Sequence, residues 1–333
     1  MYKKFAKAQL SKLKFLAGYS PKIENHNAVN FRYIPDGFRS VCLISADFEM
    51  AWASRYTKST KTPLQKAIND GIQTRKNVPV ILELCDKYDI PITWATVGHL
   101  FLEKCGPFDG LKHPDLPRLG HFQNQFWKFY TGDWFDYDPC TDYIQDPAWY
   151  APDLIQDILS RKTKHEIGCH TFSHVDCRDS IDDGKVFEAE IKECQRIAQE
   201  WNLVLKSFVH PGHTIGHLDM LKKLGFTSFR TDYGDVLGYP VRHQSGLWEF
   251  RNSAGLDWRE GWSAKYHIYR YKKIIDRAIK HRRLCVLWFH PSFPRRFVDE
   301  VLSVIIAYLD EQRSDILCCT HTEYSDYLDN TIL

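Results

Sequence analysis

The sequence predicts an α/β protein with a mostly parallel sheet. Short apolar segments with the character of buried strands alternate with amphipathic helical segments along all 333 residues. This alternation is typical of parallel strands joined by crossover helices. No internal repeat or low-complexity tract interrupts it. Eight candidate strands begin near residues 41, 91, 165, 206, 227, 247, 284 and 315.

The helices are expected between these strands. Asn77 has the character of an N-cap, and Pro79 would then lie in the first turn of the helix that precedes the second strand. The expected helices cover 77–87, 98–105, 214–224 and 296–312.

The first strand ends in two acidic residues. The apolar run that starts at Ser40 leads directly to Asp47 and Glu49, with Phe48 between them. The carboxyl end of a buried parallel strand is where α/β folds place their chemistry. Two carboxylates that share a site raise the pKa of one of them unless a cation is present. The pair therefore indicates a cation site, although one acid could instead cap the next helix.

The third strand leads to two histidines four residues apart. His170 and His174 can turn their rings toward one point, so that one divalent metal takes a nitrogen from each. A second pair, His213 and His217, has the same spacing, and with His210 it forms a competing metal set. Spacing alone does not decide between the two sets.

Two further strands end in a histidine followed by proline. Six apolar residues lead to His290 and Pro291, and a shorter run leads to His210 and Pro211. Four polar strand ends in one chain indicate a barrel or sheet whose strand ends surround a single site.

In order and context, these motifs resemble the polysaccharide deacetylase family, also called the NodB-homology group or carbohydrate esterase family 4. The resemblance covers residues 38–325 and is closest to a branch found with surface-polysaccharide biosynthesis genes, where an Asp-Phe-Glu first motif is typical. The matching segments are Asp47 with Glu49, Pro91–Gly98, His170 with His174, Phe208–Gly212, and Leu287–His290. The resemblance implies an irregular (β/α) barrel of about seven parallel strands.

The resemblance, together with residue chemistry, implies metal-assisted acyl hydrolysis. Glu49, His170 and His174 would hold Zn²⁺ or another divalent transition metal, Asp47 would be the general base, and His290 would be the general acid. The arginine usual in the third motif is missing from Val209–His213, and Arg230 is the candidate to replace it. Asp232 is a candidate to orient His290. The remaining candidates for substrate binding or orientation are His210, His213, Trp94 and Trp288.

An aromatic-rich insert is expected at 106–150, between the second and third strands. It holds 12 aromatic residues in 45 positions, against 14% for the whole chain, and five prolines that exclude a long helix. Aromatic faces can stack on sugar rings, so the insert could be a substrate-binding lid. An aromatic mini-core or a dimer contact is an equally good interpretation.

The termini complete the predicted organisation, with a basic extension over 1–37 and a tail over 326–333. Six lysines and no acid occur in residues 1–22, interleaved with apolar residues. Such a segment could lie on an anionic membrane surface, or it could be a frayed, solvated terminus or a helix that packs on the barrel. The ten scattered cysteines and the absence of a signal-peptide core favour a cytoplasmic protein, with peripheral contact at the inner face of the membrane as an option.

Composition narrows the partners and the function. The net charge of +2 and the lack of recognition motifs argue against nucleic-acid binding. The expected substrate is an amino sugar, free, nucleotide-linked or lipid-linked, from which an acyl group, N-acetyl first of all, is removed during polysaccharide or glycolipid biosynthesis. The alternatives are a catalytically silent carbohydrate-binding relative and a deformylase or O-deacylase of the same fold.

Overall fold

The computed structural model describes residues 2–18, 20–24 and 31–332, and it confirms the α/β fold class. Each of the eight predicted strands is present, and each begins within two residues of its predicted start. The strands are β1 (Lys22–Ile23), β2 (Ser40–Phe48), β3 (Thr93–Thr96), β4 (Phe122–Gln123), β5 (Lys128–Phe129), β6 (Glu166–Cys169), β7 (Ser207–Val209), β8 (Ser228–Thr231), β9 (Val236–Leu237), β10 (Val241–Arg242), β11 (Trp248–Arg251), β12 (Ala254–Gly255), β13 (Leu284–Phe289) and β14 (Ile316–Cys319).

The helices lie between the strands in the alternation that the sequence predicts. Short 3₁₀ turns cover Phe31–Tyr33, Gly98–Phe101 and Pro211–His213, and a π-helical turn, Val298–Leu302, joins α7 to α8. The α-helices are α1 (Tyr2–Leu16), α2 (Pro63–Tyr88), α3 (Pro152–Ser160), α4 (Lys185–Glu200), α5 (Leu218–Lys223), α6 (Ala264–His281), α7 (Arg295–Phe297), α8 (Ser303–Glu311) and α9 (His321–Ile332).

One large curled sheet forms the body of the protein. Its strands run in the order β10-β11-β8-β7-β6-β3-β2-β13-β12, and β14 also pairs with β2. Every pairing is parallel except that of β10 with β11. Because parallel strands share one direction, the segments that follow β2, β6, β7, β8 and β13 all leave the same edge.

The central strand β2 is buried on both faces. Cys42 and Ile44 belong to the large apolar cluster beneath the helices, whereas Val41 and Leu43 belong to a smaller cluster on the other face. Successive side chains of a strand alternate between faces, so Ser45 and Asp47 continue the second row toward the carboxyl end. Apolar packing fixes the strand, and its polar end is thereby held in place.

Three local predictions differ from the structure. Asn77 does not cap a helix, because α2 begins fourteen residues earlier and contains Pro79 in its interior. The helix expected over 98–105 is only a 3₁₀ turn, since the N–H groups of Gly98 and His99 donate to the carbonyls of Thr171 and Phe172 instead of continuing a helix. Residues 326–332, set apart as a tail, belong to α9, where Leu328 is fully buried.

The aromatic-rich insert forms a mini-core over the barrel edge. Its only strands within the described residues are the short hairpin β4–β5. Phe122, Phe129 and Trp134 are buried and contact one another, and Tyr56 of the barrel stacks on Trp134 with a centroid distance of 4.9 Å.

The amino-terminal helix α1 contacts α6 through its last turns. Phe15 is buried edge-on against Tyr266 and Tyr269, and the Lys12 ammonium lies 4.5 Å from the centre of the Tyr266 ring. Leu10 and Leu13 are exposed on this helix. Within the described part of the chain, no helix combines the length and apolarity needed to cross a membrane.

Candidate active site

Three strand ends bring together a cluster of one carboxylate and three imidazoles. Glu49 follows β2, His170 and His174 follow β6, and His290 follows β13. Glu49 Oε1 lies 3.0 Å from Nε2 of His170 and 3.0 Å from Nε2 of His174. His290 Nε2 lies 3.5 Å from the other oxygen, Oε2. The structure thus places the predicted ligand residues and the predicted general acid side by side.

The loop that carries the two histidines has an unusual backbone. Thr171 and His174 both have φ of 60°, a left-handed conformation that non-glycine residues seldom adopt. Hydrogen bonds at Ser173, which lies between these two residues in the chain, maintain it. The backbone N–H of Ser173 donates to Glu190 Oε2 (2.7 Å), its hydroxyl donates to Glu190 Oε1 (2.6 Å), and its carbonyl accepts from the buried Arg55 (2.8 Å).

The hydrogen bonding of His170 suits a metal ligand. Its Nδ1 lies 2.6 Å from the carbonyl oxygen of Val209, which can only accept, so the ring proton belongs on Nδ1. In the neutral ring, Nε2 then presents a lone pair to Glu49 Oε1, which also presents lone pairs. A cation between these atoms resolves the conflict. The two imidazole nitrogens and one carboxylate oxygen fit Zn²⁺ or a similar divalent ion.

The pKa values of the cluster point the same way. Burial would raise the pKa of Glu49, but the imidazoles of His290 and His174 outweigh that effect and hold it well below its ordinary value. Burial lowers the pKa of His174 to about 4, which the carboxylate of Glu49 only partly opposes. At neutral pH the cluster therefore offers an ionised carboxylate and an uncharged His174, the protonation states that a metal requires.

Asp47 is held by an arginine from across the sheet. Arg230 of β8 makes two parallel hydrogen bonds of 2.7 Å to the carboxylate, and its Nη1 also donates to the Ser45 hydroxyl at 2.7 Å. The guanidinium lies 4.8 Å from the centre of the Trp288 ring. Burial would raise the pKa of Asp47, but Arg230 reverses this and lowers it below the ordinary value. The segment Val209–His213 has no arginine, and Arg230 is the arginine that contacts Asp47.

The cluster opens to solvent between two hollows. A pocket of about 220 Å³ has aromatic walls that include Phe126, Trp127 and Trp288. A neighbouring pocket of about 640 Å³ is lined by polar side chains of α2 and by the loop after β13. Asp47, Glu49, Ala53 and His290 line both hollows. A substrate that spans them would cross the carboxylates and the exposed edge of His290.

The insert supplies one wall of the smaller pocket. Trp127 donates its indole N–H to the Ala53 carbonyl (3.0 Å) and lies edge-on to His174 at 5.1 Å. Gly212 has φ of +55°, and a Cβ there would come within 2.6 Å of the Trp127 ring. Only glycine both adopts this conformation without strain and leaves room for the indole.

Three predicted site residues, Asp232, His210 and Trp94, lie elsewhere or have other partners. Asp232 does not contact His290; its carboxylate lies 3.6 Å from His213 and accepts from Asn252. Asp232 follows the end of β8, where its short side chain meets neighbouring groups instead of His290. His213 lines the smaller pocket, as one of the interpretations of this histidine group expected.

His210 and Trp94 belong to the interior. His210 is 1% exposed, its Nε2 donates to the Gly216 carbonyl (3.1 Å), and burial lowers its pKa to about 3. Trp94 is fully buried and packs against Phe48, so it cannot reach a substrate. His217 faces Asp179 instead of His213. The competing set of three histidines therefore does not form a metal cluster in the described residues.

Sequence reasoning missed the residues that hold the site from behind. Asn77, fully buried in α2, donates to the carbonyls of Pro291 (2.7 Å) and Phe293 (2.8 Å), and so fixes the loop that carries His290. Glu190 and Arg55 fix the loop of His174. The only available signal was a polar side chain on an otherwise apolar helix face, as at Asn77 and Glu190.

Comparison with known proteins shows the fold. No protein-family model matches the sequence, and no curated protein matches it. Among solved structures, one assigned as a polysaccharide deacetylase of Mycobacterium smegmatis has a TM-score of 0.60 at 13% identity, covering 90% of this chain and 93% of the other. A second structure with this assignment, from Pseudomonas aeruginosa PAO1, has a TM-score of 0.61 at 10% identity and covers 92% of this chain and 96% of its own. PuuE allantoinase has a TM-score of 0.63 at 12% identity and covers 92% of this chain and 95% of its own. The (β/α) barrel prediction is confirmed.

Proposed function

We propose that the chain is a metal-dependent hydrolase that removes an acyl group, N-acetyl first of all, from an amino sugar of polysaccharide or glycolipid biosynthesis. The observation that carries the proposal is the arrangement of two carboxylates in one pocket. Glu49 faces two imidazoles, and Asp47 is held apart from it by the bidentate contact with Arg230. Two acids with such different partners suit two different roles.

Glu49, His170 and His174 would hold the ion, with Zn²⁺ as the first candidate. When bound, the ion supplies positive charge that polarises the acyl carbonyl and increases the acidity of a water molecule. Three protein ligands leave a coordination position open, as in hydrolytic metal sites.

Asp47 has the environment of a general base. The two hydrogen bonds from Arg230 fix the plane of its carboxylate, and its low pKa keeps it ionised at neutral pH. It also lines the pocket, so it can accept a proton from water beside the acyl carbon.

His290 lines the same opening and is the candidate general acid. Its ring is partly exposed and lies between Trp288 and Phe293, with centroid distances of 5.2 and 5.4 Å. A proton held on His290 would pass to the nitrogen of the departing amine. General acid catalysis of this kind contributes about 10²–10⁴ in rate.

The walls of the site support a sugar substrate. The smaller pocket offers aromatic faces to the apolar side of a sugar ring, and the larger one offers Asn69, Asp70 and Gln73 to its hydroxyl groups. The names of the structural neighbours, deacetylase and allantoinase, are those of hydrolases of carbon–nitrogen bonds.

A panel of free, nucleotide-linked and lipid-linked N-acyl amino sugars, assayed for released acetate and formate, tests the proposal. We expect the native protein to release acetate. His170→Ala/His174→Ala should lose this activity and one metal ion per chain. The control His243→Ala, which alters a histidine outside the site, should keep native activity. Formate or O-acyl release alone would replace N-acetyl removal by the related reaction. Acetate release that survives the double substitution would refute the mechanism.

A further inference from the structure

A second cluster of metal-ligand side chains lies at the root of the aromatic insert. It consists of His99 and Cys105, which follow β3, and of His113 and Asp138, which belong to the insert; we call it the insert cluster. One ligand atom from each residue lies within 4.8 Å of all the others. None of these residues belongs to the active site.

The distances within the insert cluster suit a tetrahedral ion. Asp138 Oδ2 lies 3.0 Å from His99 Nε2, 2.6 Å from His113 Nε2 and 3.5 Å from Cys105 Sγ. The Cys105 sulfur lies 3.6 Å from His99 Nε2. Ligand–ligand separations around zinc are about 3.3–3.8 Å, given bonds of about 2.0–2.3 Å to nitrogen, oxygen and sulfur. The two separations that involve sulfur fall in this range, and the two nitrogen–oxygen separations are shorter by about 0.3–0.7 Å, a gap that side-chain movement of His99 and His113 would have to open for the ion.

The surrounding hydrogen bonds orient the ligands inward. Asp138 Oδ1 accepts from the backbone N–H of Cys140 (2.9 Å) and from the Tyr150 hydroxyl (3.2 Å), which leaves Oδ2 for the cluster. His99 Nδ1 lies 3.4 Å from the Trp149 carbonyl oxygen, which can only accept. His99 Nε2 lies closer to its own acceptor, Asp138 Oδ2 (3.0 Å), so an ion at Nε2 would take the place of that hydrogen bond while Nδ1 donates to the carbonyl. Such partners are typical of metal ligands.

The buried carboxylate of Asp138 depends on imidazoles for its compensating charge. His113 and His99 lie 2.6 and 3.0 Å from it, and in the described residues no lysine or arginine side chain forms an ion pair with it. Burying an ionised carboxylate requires compensating charge. A divalent ion would supply this charge and bind a nitrogen of each imidazole.

We propose that His99, Cys105, His113 and Asp138 bind a structural Zn²⁺ ion that fastens the insert to the barrel. Two nitrogens, a thiolate and a carboxylate form a full tetrahedral set with no position left for substrate. The side chains of His99 and Asp138 are completely buried, and that of His113 is 12% exposed. The active site, in contrast, offers three ligands and an open pocket.

The insert cluster lies directly behind the loop of the active-site histidines. Phe172, between His170 and His174, packs edge-on or tilted against His99 (5.5 Å) and His113 (5.3 Å). The insert also carries Trp127, which contacts His174. A bound ion would thus rigidify the back and one wall of the active site.

Zinc content and cobalt spectra test the proposal on the full chain. We expect two zinc ions in the native protein and one in His170→Ala/His174→Ala, which leaves the insert cluster intact. The Co²⁺ form of that double variant should show thiolate-to-cobalt charge transfer, because the active site contains no thiolate. Cys105→Ser should remove this absorption and one ion, whereas the control Cys318→Ser, at a similarly half-buried cysteine of β14, should keep both.

Two outcomes would overturn the proposal. The first is a His170→Ala/His174→Ala protein that binds neither zinc nor Co²⁺, and the second is a thiolate band that persists in Cys105→Ser. Because the double variant keeps all four insert ligands, its result is decisive even if Cys105→Ser fails to fold.

Discussion

The active site and the insert cluster use nearly the same side chains in different surroundings. Both place a buried carboxylate oxygen about 3 Å from two imidazole nitrogens. The strand ends of the barrel form the active site, which opens on two hollows. Loops form the insert cluster, where a thiol occupies the fourth position. The two sites differ mainly in whether the fourth coordination position is open to a substrate, as catalysis requires, or occupied by a protein ligand, as in a structural site.

Asp47→Asn should have the largest effect, and it should affect only the active site. The amide cannot accept the proton, so kcat should fall by about 10²–10⁴. Both metal ions should remain, since Asp47 belongs to neither proposed ligand set. Asp219→Asn, at an exposed carboxyl of α5, is the control. Measurement of kcat and metal content checks this, and a kcat within twofold of the native value would exclude Asp47 as the base.

Arg230→Met should change the pH dependence of kcat/KM at the active site. Arg230 lowers the pKa of Asp47, which is active as the carboxylate. Without the guanidinium that pKa rises, so the acid limb of kcat/KM should move to higher pH by about 1–3 units. Arg242→Met on β10, which removes an ion pair with Asp329 of α9, should leave the limb in place. An unshifted limb in Arg230→Met would show that another group controls it.

Glu190→Gln should reveal a carboxyl that destabilises the fold when ionised. Burial raises the pKa of Glu190 to about 7, which the hydrogen bonds from Ser173 only partly oppose. The folded state therefore favours the protonated form, and the stability gained below the unfolded pKa, near 4.5, is lost as pH rises through 7.

Between pH 5 and 8, the unfolding free energy of Glu190→Gln should therefore rise relative to that of the native protein, by up to about 3 kcal/mol. Thermal unfolding of both proteins across this range measures the difference. Glu188→Gln, which removes an exposed partner of Lys192, should show no such trend. If the unfolding temperatures of Glu190→Gln and the native protein changed with pH in parallel, the prediction would be refuted.

Gly212→Ala should have a smaller effect and should test the contact between insert and active site. The substitution adds left-handed strain of about 1–2 kcal/mol and a contact with Trp127. Gly225→Ala also has positive φ but meets nothing within 4 Å, so it carries the strain alone. We expect a raised KM only in Gly212→Ala. Equal KM values would mean that Trp127 does not shape the pocket.

The sequence predicted those parts of the site that lie at strand ends. Asp47, Glu49, His170, His174 and His290 each follow an apolar run, and strand direction alone brings such positions to one edge. It also named Arg230, because an arginine on a neighbouring strand can replace a missing one. It misassigned Asp232, His210 and Trp94, whose partners depend on side-chain length and on which face of the strand each occupies.

Residues that act from helices and loops gave weaker signals. Asn77 has the sequence context of an N-cap, but in the interior of α2 it holds the His290 loop. The insert cluster has no regular ligand spacing, since its members come from two segments that only the folded insert brings together.

By itself, the sequence determined the strand–helix alternation, the strand starts and the polar strand ends, because these depend on local periodicity and on the shared direction of parallel strands. Only the tertiary structure decided that Arg230 spans the sheet to Asp47, that Trp127 closes a wall beside His174, and that four scattered residues converge at Asp138. Those contacts depend on how loops fold back and on side-chain reach, neither of which has a period in the sequence.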